Sequence, residues 1–104
     1  MFARVTLLEI DTMRTDVADA VELYRAEVLP ELKEQSGYTG SYVLATPDGK
    51  GMLISFWATE DAADASAEQG FYAETLARYV TLFRSPPGRE RYEVMVADLP
   101  AEVN

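Results

Sequence analysis

The chain has neither cysteine nor histidine. Without cysteine there is no disulfide scaffold, thiolate nucleophile, zinc finger or iron–sulfur ligation, and the redox compartment stays open. Without histidine there is no Ser-His-Asp chemistry, His-ligated zinc or proximal-His haem, and the usual general base near neutral pH is missing. Basic residues are scarce too: 9 Lys and Arg stand against 18 Asp and Glu, a formal net charge of -9. Nucleic acid and anionic lipid bind mainly through Lys and Arg, so neither is an expected partner. No run approaches the roughly 20 apolar residues that span a bilayer. The chain opens directly on strand-like residues, Met1-Phe2-Ala3-Arg4. The expectation is a soluble protein without membrane association, cytoplasmic by default.

What is present is core-forming material. Of 104 residues, 48% are hydrophobic and 11% aromatic, enough for one packed domain over residues 1–104. Phe2 to Ile10, rich in Val, Leu and Phe and free of Gly and Pro, predicts a first strand. Thr15 or Asp16 caps a helix whose apolar residues Val17, Ala20, Val21, Tyr24, Val28 and Leu32 recur at helical spacing. Pro30 lacks an amide donor and crowds the carbonyl four residues earlier, so this helix should kink or divide near Val28, and Gly37 should end it in a left-handed cap. Ser41 to Thr46 and Gly51 to Trp57 flank Pro47-Asp48-Gly49-Lys50 and read as a hairpin. Thr59 caps a second helix that runs to Gln69, bends at Gly70, resumes from Phe71 to Arg84 and stops at Ser85-Pro86-Pro87-Gly88. Tyr92 to Ala97 is expected as the last strand.

This order of strand, helix, two strands, helix and strand predicts an α+β fold, the ferredoxin-like βαββαβ arrangement with a four-stranded antiparallel sheet. Two helices cover one face of such a sheet, and the other face should alternate to polar if it meets water. Instead Met52, Leu53, Ile54, Phe56 and Trp57, with Tyr42, Val43, Leu44 and Val94, Met95, Val96, leave both strand parities largely apolar. Monomers rarely expose patches of that size, so a homodimer packed through the open sheet face is expected.

Several segments carry a family resemblance: Phe2-Ala3-Arg4-Val5, Val28-Leu29-Pro30-Glu31-Leu32, Gly37-Tyr38-Thr39-Gly40-Ser41, Ser55-Phe56-Trp57-Ala58-Thr59-Glu60-Asp61-Ala62 and Arg91-Tyr92-Glu93-Val94. Together they span nearly the whole chain, which resembles the antibiotic-biosynthesis monooxygenase family of dimeric α/β barrels. The resemblance implies a cofactor-free oxidation of an electron-rich polycyclic phenol by molecular oxygen, in a pocket between sheet and helices. It implies no metal and no other cofactor. Trp57 matches the strand-end tryptophan of that pocket, and Tyr72 and Arg84 are of the type of the family's catalytic tyrosine and arginine. The pocket asparagine has no match, since the one asparagine is Asn104. The haem-degrading branch needs a strand-1 asparagine, where this chain has Leu7 or a neighbour, and a second-helix histidine, which it lacks.

Trp57, Tyr72 and Arg84 are therefore the catalytic candidates, and Tyr24, Tyr79 and Phe83 the substrate-binding ones. Each also has a plain structural role open to it. Trp57 stands where a strand gives way to a helix and either walls a pocket or fills the core with its indole N–H on a carbonyl. The stripe Tyr72, Leu76, Tyr79, Phe83, with Tyr24 opposite, reads as core or as an aromatic cavity for a flat ligand. Arg78, Arg84, Arg89 and Arg91 either hold an anionic substrate or offset a helix dipole and pair with Glu90 or Glu93. Glu60, Asp64 and Glu68 share a helix face that reads as solvated, not as a metal site. Glu9 is a weak candidate for the missing base. Two readings follow: a cofactor-independent monooxygenase acting on an aromatic or polyketide-like substrate, or a non-catalytic dimer that binds a small aromatic ligand or assists a pathway enzyme.

Overall fold

Phe2–Glu9 forms β1, the strand on which both its neighbours depend: β3 (Lys50–Trp57) pairs along one side and β4 (Gly88–Glu93) along the other, with β2 (Tyr38–Ala45) outside β3. The structure, a computed structural model, describes residues 1–68 and 88–98. All pairings are antiparallel and the strand order is β2-β3-β1-β4. With the helices of the β1–β2 connection and α3 (Glu60–Glu68) after β3, this is the ferredoxin-like α+β arrangement.

The first helix divides where Pro30 requires it. α1 (Val17–Leu23) is capped by Asp16, whose carboxylate accepts the Asp19 N–H at 2.8 Å. A π-helical turn, Tyr24–Val28, follows, and the Leu29 N–H donates to the Tyr24 carbonyl five residues back. The widened turn draws carbonyls away from the proline ring and absorbs the missing amide. α2 (Leu29–Lys33) then starts afresh with Pro30 in its first turn, where no donor is needed. The helix ends earlier than expected, at Lys33 with Glu34 as a right-handed cap, and Gly37, at φ 82°, lies in the turn that leads into β2. Its carbonyl accepts the Ala58 N–H at 2.8 Å, tying the entry of β2 to the exit of β3.

In the β2–β3 hairpin, Gly49 takes φ 102° and its N–H returns to the Thr46 carbonyl at 3.1 Å. The Thr46 hydroxyl accepts the Lys50 N–H and donates to the Asp48 carboxylate, which holds the Asp48 pKa below its usual value. Thr59 caps α3 as expected, accepting the Ala62 N–H at 3.0 Å.

The last strand departs from its expected position. It covers Gly88–Glu93, not Tyr92 to Ala97, because its register is set by β1: pairing runs from Leu7 with Gly88 to Phe2 with Glu93, and β1 then ends. Val94 makes one further bond, to the Met1 carbonyl. Met95 and Val96 overhang the sheet, 81% and 84% exposed. The continuation of the second helix beyond Glu68, with the bend at Gly70 and the stop at 85–87, lies outside the described residues.

Strand pairing assigns the two faces. Phe2, Arg4 and Thr6 of β1 share a face with Leu53, Ser55 and Trp57 of β3, and helices α2 and α3 pack on that side. Ala3, Val5 and Leu7 share the other with Met52, Ile54 and Phe56, joined by Tyr42, Leu44 and Tyr92. Leu7, Tyr42, Leu44 and Tyr92 are about half exposed there, and Tyr42 meets Phe56 edge to face at 5.9 Å. Both parities were expected to be largely apolar, and both faces do carry apolar residues; the helix side adds a polar set, Arg4, Thr6, Ser41 and Ser55, to Phe2, Tyr38, Val43, Leu53 and Trp57.

Gly37 gives the test of this frame. A Cβ built on it would lie 2.5 Å from the Ala62 Cβ of α3, at a φ that side chains rarely adopt. Gly37→Ala should cost about 2–4 kcal/mol in a denaturant titration, combining strain and overpacking. Adding Ala62→Gly should recover part of that loss as a positive coupling, despite glycine's own penalty in a helix. Additive effects would show that the two elements do not meet.

Candidate functional site: the inner face of the sheet

The inner face is built in rows that run across the strands. The first joins Tyr38, Trp57, Phe2 and Glu93; the second joins Ser41, Ser55, Arg4 and Arg91. In the third, Val43, Leu53 and Thr6 succeed one another. An aromatic row is thus followed by a polar row that crosses all four strands.

Trp57 organises the aromatic row. It is 0% exposed and packs with Leu32 of α2 and Ala63 of α3, surrounded by Phe2, Tyr24, Leu29, Tyr38 and Ala62. Tyr38 meets its ring edge-on at 5.8 Å. The indole N–H donates to the Ser55 hydroxyl at 2.9 Å, on the same strand and face, where a carbonyl acceptor was the expectation. A strand places i and i+2 side by side, so Ser55 is the nearest polar group that the sequence can offer. A surface hollow of about 350 Å³ opens beside this cluster, rimmed by Gln35, Ser36, Thr59 and Asp61. Trp57 forms its floor through buried atoms, without surface to offer a ligand from that side.

The polar row is tied to α3. Arg4, whose side chain is 11% exposed, donates from Nη2 to the Ala63 carbonyl at 3.0 Å and to Asp64 Oδ1 at 3.3 Å. Arg91 reaches both oxygens of Asp64 at 2.6 Å and lies 3.3 Å from Glu60. Arg4 and Arg91 are direct cross-strand partners, an unfavourable placement for like charges, and Asp64 stands between them. Arg91 therefore pairs with Asp64 and Glu60, not with Glu90 or Glu93 as expected. For the same reason Glu60 and Asp64 are not merely a solvated stripe. Among the described residues no group of acidic side chains is arranged to hold a metal ion.

Of the residues singled out from the sequence, Trp57 and Tyr24 come together in one cluster. Tyr72, Tyr79, Phe83 and Arg84 lie outside the described residues. Glu9 carries the parity of Ala3, Val5 and Leu7 and faces Lys50 on the uncovered side, which removes it from the space beneath the helices. Arg4, Thr6 and Ser55 were not anticipated, and Asp64 was expected only as part of a solvated helix face. Their signal was legible in part: Phe2, Arg4 and Thr6 alternate with Ala3, Val5 and Leu7, placing the polar residues of strand 1 on one face.

No protein-family model matches the chain, and no curated protein matches it. Solved structures do. A Nitrosomonas europaea protein of unknown function, NE2512, is 27% identical, with a TM-score of 0.74 over 97% of this chain and 95% of the other. A Streptomyces coelicolor monooxygenase from the gene ActVA-Orf6, solved with nanaomycin D, is 23% identical, with a TM-score of 0.70 over 96% and 92%. A Deinococcus radiodurans protein named among the antibiotic biosynthesis monooxygenases is 11% identical, with a TM-score of 0.74 over 98% and 100%. This chain has the antibiotic-biosynthesis monooxygenase fold. Within that fold, the inner face carries the aromatic and polar rows described above, and the outer face carries the exposed apolar residues. No helix among the described residues is long and apolar enough to cross a membrane.

Asp64 is the joint between α3 and the sheet. Asp64→Asn should lower stability by about 1–2 kcal/mol, a partly exposed network being worth less than a buried one. Glu60→Gln, touching Arg91 alone, should cost less than half as much. Equal losses in urea titrations would show that Asp64 does no more than an ordinary surface pair.

Proposed function

We propose that this chain, one domain over residues 1–104, works as a homodimer that binds a planar aromatic or polyketide-like molecule and oxidises it with molecular oxygen, without cofactor. The observation that carries the reading is the polarity of the sheet, in a fold of which one solved member holds nanaomycin D. Antiparallel sheets with one face in water turn polar residues outward. Here Val5, Leu7, Ile54, Phe56, Tyr42 and Tyr92 face outward, which supports a second copy packed sheet to sheet, and the polar row lies on the helix side, which supports a ligand bound there.

The chemistry needs a substrate able to form a stabilised carbanion. Loss of a ring C–H proton leaves an electron pair that passes to oxygen one electron at a time, and the substrate radical and superoxide join in a C–O bond. The hydroperoxide then eliminates water. One oxygen atom stays as the new carbonyl, the other leaves in water, and the substrate supplies all four electrons. Trp57 and Tyr72 position the rings, Tyr24, Tyr79 and Phe83 complete the aromatic enclosure, and Arg84 stabilises the enolate. A buried carboxylate or a tyrosinate serves as base, since histidine is absent.

A second reading, a non-catalytic dimer that binds such a molecule or assists a pathway enzyme, is favoured by two observations: Trp57 is wholly buried, and Asn104 is the one asparagine. Oxygen uptake with anthrone under metal chelation separates the two. Catalysis predicts uptake above the buffer rate that falls about a hundredfold in Arg84→Ala at unchanged Tm. Binding without uptake leaves the second reading alone. For the assembly, sedimentation should give twice the 11.6 kDa chain mass, and Ile54→Glu should convert it to monomer. A wild-type monomer at micromolar concentration would refute the dimer.

A further inference from the structure

Two polar atoms on the inner face have no hydrogen-bond partner among the described residues, Arg4 Nε and Thr6 Oγ1. Thr6 is 1% exposed and the Arg4 side chain 11%. They belong to alternate positions of β1, so their backbones are about 6.6 Å apart and both side chains rise on the helix side. A buried N–H or O–H left unpaired is costly, and two on one strand are not a casual defect. The rest of the Arg4 guanidinium is held: Nη2 is engaged by the Ala63 carbonyl and by Asp64. Asp64 is itself bound through both oxygens by Arg91, so little of its charge is left to neutralise Arg4. Arg4 thus keeps a fixed, charge-assisted donor without a partner among the described residues, on the same face of β1 as the Thr6 hydroxyl.

We propose that Arg4 Nε and Thr6 Oγ1 form a recognition station for an anionic oxygen, the carboxylate or phenolate of a planar aromatic ligand. This rests on the reading that the ligand lies between sheet and helices. The station selects ligands with one ionised oxygen at the edge of the ring system. Both groups donate, so the complementary atom is an acceptor, and the guanidinium favours a charged one. Arg4 needs no reorientation on binding, because α3 already holds it.

Titration calorimetry with 2-naphthoate and with its uncharged analogue 2-methylnaphthalene tests the station. In the wild type 2-naphthoate should bind about ten- to a hundredfold more tightly than the methyl analogue, the range for hydrogen bonds to a charged group. Thr6→Val keeps the shape and removes the unpaired hydroxyl. It should leave Tm unchanged or raise it, while weakening 2-naphthoate at least fivefold and leaving 2-methylnaphthalene as it was. Arg4→Lys, which keeps the charge but loses Nε, should reduce the discrimination further. If both probes bind and neither variant changes their ratio, the station is wrong and the ligand site stands. If Thr6→Val lowers Tm by several degrees and weakens both probes alike, the hydroxyl is structural and the station is wrong. If neither probe binds the wild type, the ligand-binding reading falls, and the station with it.

Discussion

The burial of one indole governs the molecule. Trp57 is the last residue of β3, and around it meet Phe2 of β1, Tyr38 of β2, Tyr24 of the π-helical turn, Leu29 and Leu32 of α2, and Ala62 and Ala63 of α3. A buried tryptophan contributes a large apolar surface and needs an acceptor for its N–H, which Ser55 supplies. The neighbours follow from that requirement. Ala62 and Ala63 are small because α3 approaches closely, and Gly37 has no side chain because the chain passes within contact of Ala62. The helix divided by Pro30 delivers Tyr24 and Leu32 to the same cluster from its two segments.

Next to that packing the inner face carries a polar row. Beyond the aromatic row, the sheet presents Ser41, Ser55, Arg4 and Arg91 to the helices, and α3 answers with Asp64 and Glu60. Alternate residues of the same strands, Leu7, Tyr42, Leu44 and Tyr92, point away and are about half exposed. Exposed apolar surface of that kind is costly in water, and a second copy over the outer face covers it in the proposed assembly. In that proposal the two faces divide the labour: the outer one for association, the inner one for a ligand.

Much of this was legible in the residues. Alternation and turn chemistry located β1, the hairpin and both helix caps, and the missing donor of Pro30 placed the helix break at Val28 and Leu29. Four-residue turns and proline act locally, so local reading suffices for them. The last strand was misplaced because its limits are not local: Val94, Met95 and Val96 have the best strand character, yet β1 ends at Phe2 and leaves them unpaired. The candidate site was legible where one residue sufficed, as with Trp57, and missed where a pair was required. Arg4 gains its meaning from Ala63 and Asp64, about sixty positions away, and Arg91 from Asp64 on a different element. Parity along strand 1 was the available clue, and the apolar residues that flank Arg4 and Thr6 concealed it.

The central claim is that the polar inner face receives the ligand while the apolar outer face receives a second copy. A crystal structure of the protein grown with 2-naphthoate tests it most directly. The account predicts two chains packed through Val5, Leu7 and Ile54, with the probe's carboxylate on the Thr6 hydroxyl and Arg4 Nε. A probe seated on the outer face, or copies that leave that face in solvent, would contradict it.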